Sequence, residues 1–568
     1  MNRPTRRAGR IVAAIAVAGL AAALGLVVAS PAYAGTYVAT DAASLITAIG
    51  LANSDPGSTI QISPALPGNT ITMSGTNPQL TQATTVVGSA TNPPTIIGPI
   101  TPAPIFQFTN LTGNLEIDNV KMVGVATGGD AVTTSGGSGS ITFKNDSFTS
   151  FPHPAVEMLL QTGAITVTDC TFDHNVAGVA DHDGAAISAG AVNNVTITGS
   201  TFSNNTAANH GGALFLGAAN SVNISGSTFD HNSGGLDSGA IGLTSMASDS
   251  TWTGDTFTGN TSGAGATVSP PIGGAAFDIG TVSAGAEFLI DRSTFSGNSA
   301  AAKAAATSGA VGFVNLLLGG IQLSNSTMTG NSFSGVGPGA TGNGIDLAVP
   351  FMGPNSQFNI VQSTLLESAS GNDLVYVTTN AGFARLASDT LIGPGVLIVS
   401  NNNNVAANAV ETRDTIAIST TPLVPFDISG TPSEISYSIT SDVAKPKLVD
   451  VGSTQFSVTD AQLGALANNG GPTQTRLPLV GSPAIDTGDP TFTAPVTDQR
   501  GAGFARIING RVDIGAVEVP AATATAPVLA ATGVDTGATL WTASTALLTG
   551  ALLLGAVMLI RRRRNTAQ

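Results

Sequence analysis

Cysteine is almost absent from this sequence, with Cys170 alone among 568 residues. A single thiol excludes an intrachain disulfide framework and a multi-thiolate zinc site. Charge is scarce too, at 10% of residues against 42% apolar. A disordered acidic chain shows the reverse balance, so this chain folds. Basic residues are fewest in the body. Between Gly35 and Thr532 there are 12 Lys and Arg against 34 Asp and Glu, a net charge of −22. Such a body repels nucleic-acid phosphates and anionic lipid, which excludes nucleic acid as a partner. Aromatics other than phenylalanine are rare, two Trp and four Tyr beside 22 Phe. Glycine and proline, at 69 and 30 residues, are plentiful without reaching the level of a low-complexity chain.

The two ends read as addresses. Arg3, Arg6, Arg7 and Arg10 precede an apolar run from Ile11 to Ala29, and Ala32-Tyr33-Ala34 follows. This is the order of a secretory signal over residues 1–34, cut before Gly35. Pro31 and the small residues weigh against an uncleaved membrane helix, and the residues after Arg6-Arg7 do not fit a twin-arginine signal. At the other end stand Leu529-Ala530-Ala531-Thr532-Gly533, an apolar stretch at 540–560 and Arg561 to Arg564. Twenty-one apolar residues span a bilayer as a helix, and the arginines hold the tail in the cytoplasm.

Between the ends one phrase recurs: Ile141 to Phe148, Ile165 to Phe172, Val195 to Phe202 and Val222 to Phe229. Weaker copies end at Phe257, Phe295, Met328, Leu365, Leu391 and Ile416, and Leu115 to Val120 begins the series. The eleven anchors are 24 to 38 residues apart, within the range of stacked-repeat folds. Apolar and polar residues alternate inside each phrase, the period of a strand, and β-branched residues dominate. Three positions after the anchor comes Asn175, Asn205, Asn232, Asn260, Asn298 and Asn331 in consecutive copies. Asparagine tolerates left-handed backbone angles, and stacked copies form a ladder along an axis. A glycine-led phrase follows each (Gly184-Ala-Ala-Ile187, Gly212-Ala-Leu214, Gly239-Ala-Ile241 and later copies), which predicts a second strand. The 7 to 14 residues between asparagine and glycine form a variable corner loop.

These features predict an all-β, right-handed, single-stranded parallel β-helix, because one strand pair cannot bury its apolar face alone while stacked coils share a core. Eleven coils give a rod of about 50 Å. A β-sandwich predicts neither the regular asparagine nor the shared loop corner. Thr40-Asp41 predicts the cap of a short helix to about Ala52, with Leu45, Ile49 and Ala52 on one face. The boundaries are 35–110 for cap and first coils, 111–455 for repeats, 456–518 for a C-terminal block, 519–532 for a linker and the start of the pentapeptide, and 533–568 for the remaining sorting segment.

The Phe-x-x-Asn turn followed by Gly-Gly-Ala resembles the repeats of polymorphic outer-membrane proteins. Ala43-Ser-Leu-Ile-Thr-Ala-Ile49 is similar to the Cys-Ser-Leu-Arg-Glu-Ala-Ile opening of many secreted β-helix proteins, without the cysteine and the charged pair. Leu463 to Leu477, Gly481 to Gly488, Asp498-Gln-Arg-Gly501 and Asp513 to Glu518 resemble the choice-of-anchor Q domain, which ends surface β-helix proteins before their anchoring signals. The pentapeptide, apolar span and basic tail resemble a Gram-positive cell-wall sorting signal of the Leu-Ala-x-Thr-Gly type, with Ala530 in place of the commoner proline. By that resemblance a sortase attacks the Thr532 carbonyl and passes the chain to peptidoglycan. The alternative is a plain C-terminal membrane anchor. Both put the body outside the cell, in the wall or membrane, and the resemblance of the pentapeptide implies an actinobacterial host.

Proteins that resemble this fold often are polysaccharide lyases and hydrolases. The best acidic cluster is Asp173, His174, Asp181, His182 and Asp183, with Asp230 and His231 two coils on; Asp181, Asp183 and Asp230 are the candidate catalytic carboxylates. Paired carboxylates hydrolyse glycosidic bonds, and alternating ones take Ca²⁺ through oxygen, although no motif here assigns a metal or cofactor. Against catalysis, Asp173-His174-Asn175 and Asp230-His231-Asn232 fill the slot of Ser203-Asn204-Asn205, so they read as turn residues. No Lys or Arg occurs from Phe151 to Ile290, and Trp252 is the only repeat tryptophan that a sugar would stack on. Cys170 stands where Ser200, Ser227 and Ser293 stand and reads as a small turn residue. The leading expectation is a non-catalytic, wall-anchored rod for adhesion or display of an unidentified extracellular ligand. A surface polysaccharide lyase or hydrolase and a purely structural wall component are the alternatives. An enzyme predicts three or more converging carboxylates with a basic residue nearby.

Overall fold

The structure is a computed structural model that describes residues 34–520, apart from 65–67, 76–78, 179–182, 264–273, 303–309, 336–344, 368–372, 380–381, 396, 403–409, 444 and 494. The secretory signal up to residue 33, the sorting pentapeptide, the apolar segment 540–560 and the basic tail lie outside the described residues. Among those described, no helix is long and apolar enough to cross a membrane.

The chain enters through strand Thr36–Ala39 and helix α1, Ala42–Ala52. Asp41 caps α1: its carboxylate accepts from Ser44 N at 2.8 Å, and Ser44 Oγ accepts from Asp41 N at 2.9 Å. This reciprocal pair satisfies two orphan donors of the first turn. Leu45, Ala48, Ile49 and Ala52 are buried, so α1 closes the end of the apolar core that an open rod would expose to water.

Beyond α1 the chain winds as a parallel β-solenoid. Its strands form sheets of 26, 14 and 6 strands, with successive coils in parallel register. Two rows of strands merge in the largest sheet, because Ile187–Thr198 and Leu214–Ser225 run unbroken across both faces. Each short strand alternates inward and outward residues. In Ile141–Lys144 and Ile165–Thr168 the Ile, Phe and Val side chains are buried and the Thr and Lys are not.

Register aligns one inward residue per coil in the 14-stranded sheet. Met122, Phe148, Phe172, Phe202, Phe229, Phe257, Phe295, Met328, Leu365, Leu391 and Ala417 are paired in turn. The rings from Phe148 to Phe295 stack at 4.5 to 4.9 Å between centroids, the spacing of the coils themselves. Two anchors differ from the sequence reading. Val120 lies two residues before the column, which runs from Ile71 and Ile96 into Met122, and Ala417 rather than Ile416 continues it. Val120 is an apolar residue of the bend that imitates the anchor, whereas Ile416 is an apolar strand residue buried under the C-terminal block. The sheet also has fourteen strands where eleven coils were expected, because Thr70–Thr72, Thr95–Ile97 and Ile439–Thr440 extend it without a recognisable phrase.

Residues beyond Gly452 leave the solenoid and return along its side. Gln499, fully buried, donates from Nε2 to Ser326 O at 3.0 Å and accepts from Thr364 Oγ1 at 2.6 Å. Gln362 Nε2 donates to Thr497 O at 2.6 Å, and Asp489 N to Asp414 Oδ1 at 2.7 Å. Ile416, Ile418 and Ile439 of the last coils share a small core with Ala461, Ala484 and Ile514 of this block. The block is thus clamped across several coils, each of which supplies a side-chain or carbonyl partner.

Candidate functional site

Two polar ladders run inside the rod. In the first, the Nδ2 groups of Asn175, Asn205, Asn232, Asn260 and Asn298 donate to the Oδ1 of the asparagine one coil on, at 2.9 to 3.1 Å. Each Oδ1 after the first also accepts a backbone N–H from the previous asparagine, that of Asn175 accepts from Phe151 N, and each Nδ2 reaches a phenylalanine carbonyl one coil back. All six asparagines, Asn331 included, are buried. The left-handed residue of this turn is the one before the asparagine: His174, Asn204, His231, Gly259, Gly297 and Gly330 have φ of 53° to 65°. The sequence reading gave that role to the asparagine itself. Instead the ladder amide points inward, and the preceding residue absorbs the tight bend.

The second ladder was not foreseen. Asp146, Cys170, Ser200, Ser227, Asp255, Ser293, Ser326, Ser363, Asp389, Thr415 and Ser438 occupy one slot, and each side chain accepts the backbone N–H of the coil before. Cys170 therefore serves as a serine substitute, accepting Asp146 N at 3.5 Å. Burial drives its thiol up to about 12, so it is no nucleophile. Burial likewise pushes Asp146 to about 8 and Asp255 to about 7, and Asp389 well above the carboxylate range.

The candidate carboxylates part company. Asp181 lies outside the described residues. Asp230 belongs to the column Asp173, Ser203, Asp230 on the turn, and bonds its own neighbour His231 at 2.9 Å. Asp183 sits on a different corner, so the structure does not gather it with Asp230. Asp183 is the equivalent of Asp237, seven residues after Asp230, which carries it from the turn to the next corner of the coil.

Asp183 has other company. Asp183, His210 and Asp237 are the same corner position in three successive coils, each 27 residues on. His210 N donates to Asp183 Oδ1 at 3.1 Å, and His210 Nδ1 lies 2.7 Å from Asp237 Oδ1, which also accepts from Ser238 Oγ at 2.8 Å. The Asp237 hydrogen bond raises the His210 imidazole above its ordinary value, while burial raises Asp183. Beside this corner is a cavity of about 410 Å³ that includes His210, Phe215, Asp237, Gly242, Asp278 and Phe313 in its wall. Phe215, Gly242, Asp278 and Phe313 are paired in that order and point outward from four coils. Gly242, having no side chain, leaves the gap between Phe215 and Asp278. Burial, and then the charge of Asp237, hold the Asp278 carboxyl well above the usual range. Two carboxylates and a histidine thus meet in the cavity wall, with Asp183 bonded to the histidine backbone behind them, which is chemistry able to hold a cation or exchange protons with a bound molecule. The regular spacing of 27 was the signal for Asp237; Asp278 left none, because a longer loop precedes its strand.

A second acidic group lies in the C-terminal block. Asp486, Asp513 and Glu518 bring one carboxylate oxygen each within 4.8 Å of the others. Both Asp513 oxygens accept backbone N–H groups, from Asp486 at 2.7 Å and Val519 at 2.8 Å, and both Glu518 oxygens do so from Asp513 and Ile508. The buried Arg506 adds positive charge, so these acids shape the turns of the block. Trp252 is fully buried and packs edge-on against Phe288 at 4.9 Å, so it offers sugar no surface.

Residues 108–316 match the family described as right handed beta helix region. No curated protein matches the chain. Among solved structures it is similar to mutants of the tailspike protein of E. coli bacteriophage HK620 in complex with a pentasaccharide. One has 14% identity and a TM-score of 0.28, another 15% and 0.30; each alignment covers 73% of this chain and 74% of the other. The parallel register of the coils, together with the family match, makes the body of this chain a right-handed parallel β-helix.

Proposed function

We propose that this chain is an exported surface protein, joined to the peptidoglycan of a Gram-positive wall by a sortase at Thr532, whose rod displays its corner loops to an extracellular ligand. The observation that carries this reading is the clamp. The block that leads into the sorting segment is bonded sideways to coils more than a hundred residues earlier, through Gln499 to Ser326 and Gln362 to Thr497. Tension on an anchored C-terminus would be shared among several coils rather than peel the last one. Fractionation of cells that make the full chain tests the anchoring. We expect the wild-type chain in the wall fraction and Thr532→Ala in the membrane fraction or medium. A Thr532→Ala chain that still resists detergent and leaves the wall only with muramidase would overturn it.

A second reading, glycoside hydrolysis, is favoured by the meeting of Asp237 and Asp278 on one cavity with His210. A carboxyl held protonated by burial can donate to a glycosidic oxygen while an ionised neighbour activates water. On this reading, reducing ends are released from a panel of extracellular polysaccharides, and Asp278→Asn lowers the rate by about a hundredfold, whereas Asp230→Asn leaves it unchanged. Full activity in Asp278→Asn would remove the cavity from the reaction.

A further inference from the structure

We propose that the notch at Gly242 binds a protonated amine carried on a compact apolar body. The inference goes beyond both readings above, since it concerns binding and holds with or without turnover. Its shape comes from one missing side chain. Along the outward column, Phe215 and Phe313 stand at the ends, and Gly242 and Asp278 lie between them. A Cβ built at Gly242 would come 3.2 Å from Phe215 Cδ2 and 3.0 Å from Ser238 Oγ, so any larger residue fills the gap. The space of about 410 Å³ suits a small ring or a short alkyl chain.

The charge of the notch selects the ligand. Asp237 and Asp278 line the notch beside a single histidine, His210, and Asp183 bonds the backbone N–H of that histidine, inside a body with a net charge of −22 between Gly35 and Thr532. Asp237 is engaged by His210 and Ser238. Asp278, half-buried on the wall of the cavity, receives a hydrogen bond from no described residue, and the charge acting on it is that of another carboxylate, Asp237. A half-buried carboxyl in that position lacks a donor and a counter-charge, and an ammonium group supplies both. The Phe215 ring, 5.8 Å from the His210 ring, offers its face to the same cation or to the carbon skeleton behind it. A metal ion fits less well. Among the described residues, the only group of three acidic or histidine side chains with ligand atoms all within 4.8 Å of one another is the one in the C-terminal block, so the notch offers an ion no three-ligand cluster of that kind. Its carboxylates suit a cation with a body.

Titration calorimetry of the full chain at pH 7 tests this with cyclohexylammonium, using cyclohexanol as the neutral ring of the same size. We expect the amine to bind with a Kd of about 1 mM, as suits a ligand of so few atoms, and the alcohol about tenfold more weakly or not at all. Gly242→Val should fill the notch and Asp278→Asn should remove its charge, each weakening the amine about tenfold; Asp230→Asn, on the far turn, should change nothing. Asp278→Asn is nearly isosteric, so it decides the matter if Gly242→Val disturbs the coil. Equal binding of amine and alcohol, undiminished binding to Asp278→Asn, or displacement of the amine by 1 mM-range CaCl₂ (about tenfold weaker apparent affinity) would overturn the proposal.

Discussion

Raising the pH from 5 to 8 should lower the thermal midpoint of this protein by roughly 5 °C, and Asp255→Ser should recover part of that loss at pH 8 while changing little at pH 5. Asp255 lies in the second ladder between Ser227 and Ser293. Its Oδ1 accepts Ser227 N at 2.8 Å, and its Oδ2 is buried among the described residues with no partner. Burial raises Asp255 to about 7 and Asp146 to about 8; Asp130 and Asp346 are raised to about 7 by the same cause. In the unfolded chain these groups titrate near the ordinary value of 3.8. Between that value and the raised one, the folded state holds more protons than the unfolded state, so stability falls as pH rises. The stabilising contribution is complete below about pH 4 and lost by about pH 8. Each carboxyl accounts for a few kcal/mol at most, and a chain this long changes its free energy by about 1 kcal/mol per degree near the midpoint, hence the size of the shift. Serine already fills the slot in the coils on either side, so Asp255→Ser keeps the acceptor and removes the ionisable group. Calorimetry at the two pH values reads the outcome. A gain of equal size at pH 5 and pH 8 would show that the effect is packing and not ionisation.

Asn232→Ala should destabilise the rod by about 4 kcal/mol, the largest loss expected from any single surface-neutral substitution in the repeats. Asn232 makes four bonds. Its Oδ1 accepts Asn205 N at 3.1 Å and Asn205 Nδ2 at 2.9 Å, and its Nδ2 donates to Phe202 O at 2.9 Å and Asn260 Oδ1 at 3.0 Å. Truncation leaves all four partners in a place that water does not reach, and each unpaired buried group costs about 1–3 kcal/mol, relieved in part by relaxation. Asn175→Ala, at the first rung, should cost less, because no earlier ladder asparagine depends on it. Denaturant unfolding of the two variants separates the cases. Equal losses would mean that the ladder does not act as a connected column. Since each coil contacts only its neighbours, the loss at Asn232 should also appear as local opening by hydrogen exchange around coils 202–260 before the whole rod unfolds.

Much of this architecture was legible in the residues. The phrase ending in phenylalanine, the asparagine three places on and the glycine-led phrase named the coil, its first turn and its second strand, because each is forced by local chemistry that repeats. Legibility failed where a residue's partner is one coil away. The serine, threonine and aspartate slot looks like ordinary turn polarity in any single repeat, and only the stacking makes it a ladder. The acidic candidates failed in the same way: Asp183 and Asp230 look alike in the chain, but only the stacking shows that one belongs to a corner and the other to a turn.

From the sequence alone came the alternation, the β-branched strands, the capping helix and the acidic, cysteine-poor body, all of which depend on neighbours a few positions apart. Tertiary structure alone decided which corner carries a cavity, that Gly242 opens it, that Asp278 closes on it, and that residues 456–519 lie along the rod rather than beyond it. Those facts turn on register between coils of unequal length, where one inserted loop shifts which side chains meet, and no local propensity records that sum.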